Sequence, residues 1–210
     1  MHRGILPVLT LLMVFCQSAS YGASVQAGDA RLASLQEQVV LSREAHQTAV
    51  TQFQTDRQTL ASLISAKGES LQPIYAAAFT DYRTSSEVAV TVSDAIAELN
   101  QHAIAIFEQW RDEIGYLTDA RLKADNEAQF ATSWQGYQSL IDTLHQSEAM
   151  IDPVLAELKV NVISLKYNLS ESNVAAKKPA LLASDNNIEA LIAALNASIA
   201  SLDGFLSEPQ

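Results

Sequence analysis

Cysteine is almost missing from this chain: Cys16 is the only one in 210 residues, so no intrachain disulfide can form. Glycine and proline are scarce too, at 7 and 5 copies. All-β sandwiches need more turn punctuation than that, and long windows here contain neither residue. Cations are few: 13 Lys and Arg face 24 Asp and Glu, for a net charge of -11. Such a chain repels phosphate backbones and anionic head groups, and Lys177-Lys178 is too short a basic run to offset that. No nucleic-acid partner is expected.

Catalytic signatures are lacking as well. The sequence has no Gly-x-Ser-x-Gly turn and no phosphate-cradling glycine loop. Di-iron bundles use paired Glu-x-x-His motifs facing inward, and this chain has none.

What is present is helical material. Apolar residues make up 48% and charged residues 18%, with alanine, leucine, glutamine and serine prominent. That apolar share is too high for a disordered chain, and the length suits one domain with a buried core.

Residues 1–23 read as an export signal. His2 and Arg3 give a polar, basic start, Ile5 to Phe15 is apolar, and small residues follow at Ser18, Ala19, Ser20, Gly22 and Ala23. The apolar run is about half the length of a transmembrane helix. Cleavage is expected between Ser18 and Ser24, and loss of Arg3 takes the charge from -11 to -12. Cys16 stands where a lipoprotein carries its acylated cysteine, but Phe15 precedes it where a small residue is the rule.

From Asp29 onward, apolar residues recur at steps of three and four, the spacing that lines one side of a helix. The first stripe runs from Leu32 through Leu35, Val39, Ser42, His46, Ala49, Phe53, Asp56 and Leu60 to Leu63. Asp29 is its expected N-cap and Gly68 its left-handed stop. The second runs from Tyr75 to Leu117, with Ser70 as cap and Pro73 in the first turn, where a missing N–H does little harm. A helix over 71–117 is about 70 Å long, far beyond the ordinary globular helix. The third stripe runs from Phe130 to Leu169 and contains Pro153, which predicts a kink near 149–153 rather than two helices. Over Ser170 to Lys178 the pattern lapses, and a last stripe spans Ile188 to Phe205.

These stripes predict an all-α fold: an elongated antiparallel bundle of three long helices plus a shorter fourth, with coiled-coil-like packing. The expected helices are 29–66, 71–117, 119–169 and 173–206, in a single domain over 24–210. Folding about Thr118 should bring Phe107 and Trp110 near Phe130 and Trp134.

Several blocks resemble the bacterial envelope family known as domain of unknown function 2959 (DUF2959). They are Cys16-Gln17-Ser18-Ala19 with Tyr21-Gly22, Arg43 with Ala45, and Gln52-Phe53. Stronger ones are Phe107-Glu108-Gln109-Trp110 with Glu113, then Pro153-Val154-Leu155 leading to Leu165-Lys166-Tyr167-Asn168-Leu169. The likeness covers Cys16 to about Phe205. It implies an exported, coiled-coil-rich helical protein, often a lipoprotein, with no assigned activity and no catalytic residues to carry over. The chain departs from the family pattern at Phe15 and at Gly28-Asp29-Ala30-Arg31, where relatives tend to have a small residue and a basic cluster.

The remaining candidates are polar residues on the stripes. His145 and Glu148 share a face of the third helix, Glu98 and His102 one of the second, and His46 and Asp56 interrupt the first. A metal- or ligand-binding bundle would be built on His145, Glu148 and His46; seam residues that set register are the simpler reading. Trp110 and Trp134 fit packing better than a pocket. Lys166-Tyr167-Asn168 could bind a ligand at the end of the third helix, or complement its dipole.

No residue is therefore assigned a catalytic, cofactor or metal role. The expected function is a non-enzymatic, exported envelope protein, in the bacterial periplasm or attached to the envelope membrane through Cys16. Its helices would serve as a scaffold or partner-binding surface. Its partner would be another envelope protein. Self-association into a homo-oligomer is open to long helices, while the charge of -12 opposes indiscriminate aggregation.

Overall fold

The computed structural model describes the backbone of residues 22–207 and the side chains of 33–206. Four α-helices make up the fold: α1 (Gly22–Ser65), α2 (Leu71–Gly115), α3 (Ala120–Lys166) and α4 (Glu171–Ser207). A single 3-10 turn, Gly68–Ser70, joins α1 to α2, and the described residues contain no strand. The helices pack on one another as a bundle. Residues 1–21 of the expected signal segment, Cys16 among them, lie outside the described residues, while Gly22 and Ala23 fall in the first turn of α1.

The stripes became the core. Leu35, Val39, Phe53, Leu60 and Leu63 of α1 are buried, as are Val92, Ile96, Leu99 and Trp110 of α2. Leu144, Ile151, Leu158 and Leu165 of α3 follow, with Ile188, Leu191, Leu195 and Leu202 of α4. Each large aliphatic side chain so removed from water contributes about 2 kcal/mol, which is why the helices hold together despite the charge excess.

The boundaries differ from expectation in four places. Helix α1 begins at Gly22, so Asp29 lies inside it and is no cap. The Ser70 hydroxyl turns back to Lys67, donating to its carbonyl at 2.8 Å and accepting its N–H at 3.2 Å, instead of capping α2. Helix α3 ends at Lys166 and not near Leu169. The apparent lapse at 170–178 is mostly helix, because α4 starts at Glu171 and runs through Pro179. Its stripe extends back through Ser184, Leu181 and Val174, all buried, while the exposed Lys178 and Pro179 had masked the period. At 37 residues α4 remains the shortest of the four.

Caps explain these starts. Asp119 Oδ1 accepts the N–H groups of Arg121 and Leu122 at 2.9 and 3.0 Å, opening α3. Ser170 Oγ accepts the Asn173 N–H at 3.3 Å and opens α4. Gly68 is the one described residue with positive φ, at 56°. Nothing lies within 4 Å of a Cβ built there, so Gly68→Ala should lose only backbone energy, about 1 kcal/mol, in urea unfolding. A stability at or above wild type would remove the left-handed stop from the account.

Helix α4 is also apolar enough, at a mean hydropathy of 1.3 over its best window, to cross a membrane by length and composition. Leu181, Ile188, Leu191, Leu195 and Leu202 of this helix are buried in the core, while Leu182 is exposed and Leu206 half-buried.

The described residues cluster into two compact units. One takes 22–43, 95–143 and 200–207; the other takes 44–94 and 144–199. In the second, Arg57 of α1 holds Asp185 of α4 through two hydrogen bonds, at 2.8 and 3.2 Å, and Glu189 at 3.2 Å. Glu171 of α4 accepts the Gly68 N–H at 2.7 Å, which ties the start of α4 to the α1–α2 turn. In the first, Arg43 pairs with Asp203.

Candidate functional site

Most polar residues on the buried faces are used to join helices. In the second unit Asp56 of α1 is only 3% exposed and accepts the Ser85 hydroxyl of α2 at 2.6 Å and the Gln52 amide at 3.4 Å. Burial raises the Asp56 carboxyl to about 6, with the Ser85 bond opposing, nearby Asp81 adding and Gln52 opposing again. Thr59 in turn donates to Asp81 at 2.6 Å. Between α3 and α4, Asn161 donates to Ser184 at 2.7 Å and Ser198 to Ser147 at 2.9 Å. Asn161, Ser147 and Ser184 were not singled out from sequence; an amide or hydroxyl beside a stripe gives no sign of whether a partner waits opposite.

The same unit places His145 and Glu148 together at a surface groove. His145 Nδ1 lies 3.0 Å from Glu148 Oε2, and Ser93 of α2 donates to Oε1 of the same carboxylate. Burial pushes the Glu148 carboxyl up, but the bonds from Ser93 and His145 and the fields of His145 and His46 outweigh it. The net shift is below the ordinary value. His46 is fully buried on α1 in the same unit. Among the described residues, however, no set of three or more His, Cys, Asp and Glu side chains is placed to hold a metal.

The groove has a volume of about 710 Å3. Ser86, Ala89, Val90 and Ser93 of α2 line one wall. His145, Glu148, Ile151, Asp152 and Leu155 of α3 line the other. These positions are the outward shoulders of two helices packed at helical spacing, so the groove follows directly from the pairing of α2 with α3.

The first unit holds an aromatic cluster across α2 and α3. The Phe107 ring lies 5.8 Å from Phe130 and 5.0 Å from Trp134, both edge-on, and 5.4 Å from Tyr137. Trp110 meets Phe130 edge-on at 5.4 Å. The predicted meeting of Phe107 and Trp110 with Phe130 and Trp134 is therefore realised as packing. Tyr137 donates its hydroxyl to Asn100, and burial pushes that hydroxyl up to about 12. Glu98 is exposed and His102 half-buried in this unit.

At the end of α3, Lys166 occupies the last turn, with its ammonium 5.9 Å from the ring of the exposed Tyr167. The Asn168 carbonyl accepts the Asn173 amide at 2.7 Å, so this stretch serves as the α3–α4 connection.

A family model described as protein of unknown function (DUF2959) matches residues 20–208. No curated protein and no solved structure matches the chain.

Proposed function

Because the chain belongs to the DUF2959 family, whose description assigns no activity, we propose from its geometry that it is a non-enzymatic envelope protein. Its helical bundle is a scaffold that presents a surface to a protein partner. One observation carries this reading. Buried and part-buried polar side chains reach across to neighbouring helices, as in Ser85 with Asp56, Asn161 with Ser184 and Tyr137 with Asn100. Buried hydrogen bonds of that kind fix which helices pair and in what register, a job suited to a rigid support.

Export rests on the amino-terminal pattern, with its basic start, short apolar run and small residues before Ser24. Mass spectrometry of the mature chain purified from cell fractions tests both parts. A periplasmic chain starting between Ser18 and Ser24 is the expected result, and an intact Met1 in the cytoplasm would overturn it. A diacylglyceryl group on Cys16 would instead make the protein membrane-anchored. Crosslinking in intact cells, followed by identification of partners, tests the scaffold role.

A further inference from the structure

Lysine is distributed unevenly in this chain. Five of its six lysines, Lys67, Lys159, Lys166, Lys177 and Lys178, fall in residues 58–80 and 158–184. Those stretches hold only two of the 24 acidic residues, Glu69 and Glu171, an excess of three positive charges in a chain of net charge -11. The fold brings both stretches to one end of the second unit. The α1–α2 turn and the α3–α4 turn meet there, tied by the hydrogen bond from the Gly68 N–H to Glu171.

These lysines are also uncommitted. The ion pairs among the described residues use Arg43, Arg57 and His145 as cations, and no lysine. Lys67, Lys159, Lys166 and Lys178 are exposed and Lys177 is half-buried. Side chains on a helix lean toward its N-terminus, so Lys177 and Lys178 of α4 lean toward the turns, while Lys159 of α3 leans away and contributes least. Beside them Tyr167 is 83% exposed, with the Lys166 ammonium 5.9 Å from its ring. The next acids along the helices are already bonded: Asp56 by Ser85, Asp81 by Thr59, Glu157 by Asn187 and Asp185 by Arg57. At 1.5 Å per residue they stand about 13 Å or more behind the helix ends, beyond a screening length of about 8 Å.

We propose that this end of the second unit rests on an anionic membrane surface, with its lysines among the lipid phosphates and Tyr167 at headgroup depth. Contact area favours a membrane over a protein. A protein interface takes about 20–30 residues a side, whereas the turns and their flanks, 67–70 and 166–173, offer about a dozen. A planar headgroup layer needs no matching hollow and meets cations on every side of the two turns. The net negative charge of the chain repels such a surface from afar, but at contact salt screens all but the nearest charges. The proposal goes beyond the scaffold reading, which stands on buried bonds between helices and not on this end.

Co-sedimentation of the full mature chain with lipid vesicles tests it. The vesicles are phosphatidylcholine alone, or with roughly a third phosphatidylglycerol, in about 50 mM salt to limit screening. Binding to the anionic vesicles is expected to be about tenfold tighter or more than to the neutral ones, because several lysines contribute at once. Lys166→Glu with Lys178→Glu should bring it down to the neutral-vesicle level. Arg111→Glu with Arg121→Glu is the control, since both arginines are exposed in the first unit and net charge changes equally. It should stay within about threefold of wild type, with only distant, screened charge altered. All four positions are exposed, and circular dichroism checks that both double variants keep their helices. Equal loss in the two double variants or equal binding to both vesicle types would overturn the proposal. So would an absence of binding, which would leave this end to an acidic protein. Partners crosslinked in cells would still support the scaffold reading in any of those events.

Discussion

Phe107→Ala is expected to lower the stability of the unit that contains it by about 3–5 kcal/mol, the usual range for truncating a buried phenylalanine. Phe107 is 3% exposed and touches four other rings, two of them edge-on. Removing it loses transfer energy and also leaves a hole that Trp110, Phe130 and Trp134 cannot fill without tilting out of their present contacts. The cluster supplies its own reporter, because Trp110 and Trp134 are the only tryptophans in the chain. Their fluorescence, followed in urea beside the helical circular dichroism signal, should show an earlier transition than wild type. A loss under about 1 kcal/mol would mean that the rings are loosely packed and that the site collapses easily. Because the described chain clusters into two compact units, the two signals need not coincide, and the tryptophan signal is the one to fit.

Asp56→Asn should move stability in the other direction at neutral pH. The Asp56 carboxyl is raised from 3.8 to about 6, so the folded protein holds its proton more tightly than the unfolded chain does. The sign follows from that. Stability associated with this group is fully present below about pH 4, falls as pH rises toward 6, and stays low above it. The shift corresponds to a penalty on the order of 3 kcal/mol at pH 7. Asparagine cannot ionise, yet its carbonyl can still accept the Ser85 hydroxyl. The variant should therefore be more stable than wild type at pH 7 by about 1–2 kcal/mol, after some loss of hydrogen-bond quality. That advantage should vanish near pH 4. Urea unfolding of both proteins at several pH values checks it, and a difference that does not change with pH would show that Asp56 has an ordinary carboxyl.

Asp56 also shows how a helical bundle can keep a destabilising group. A buried carboxylate bonded to Ser85 and Gln52 favours one alignment of α1 against α2, since sliding either helix by a turn would strand the charge. Leucine at that position would bury more apolar surface but would fit several alignments almost equally well.

Much of the bundle was legible because burial in a helix leaves a period behind. Leu35 to Leu63 in α1 are buried at the positions the spacing picked out, including the polar members His46 and Asp56, as are Val92, Ile96, Leu99, Ala103, Trp110 and Ile114 in α2, where Ile106 is only half-buried and its neighbour Phe107 fills the core. The period failed where exposed residues interrupted it. Lys177, Lys178 and Pro179 hid the first turns of α4, whose start Ser170 caps by accepting the Asn173 N–H. It failed differently at Asn161, Ser147 and Ser184, where the sequence shows a polar residue near a core face but cannot show the hydroxyl opposite. The groove was half legible. His145 with Glu148 could be paired from their spacing, but Ser93 and Val90 belong to another helix, and only the packing of α2 on α3 brings them to the same place.

The sequence by itself determined four helices, their faces and the absence of a standard catalytic motif, because those properties are written in residue type and in steps of three and four along one chain. Tertiary structure decided which polar groups meet, which carboxylates are raised or lowered, and where a groove opens with acid on its walls. Those depend on distances between helices separated by dozens of residues, and the electrostatic energy of a side chain is set by what stands a few ångströms away, whichever part of the chain supplies it.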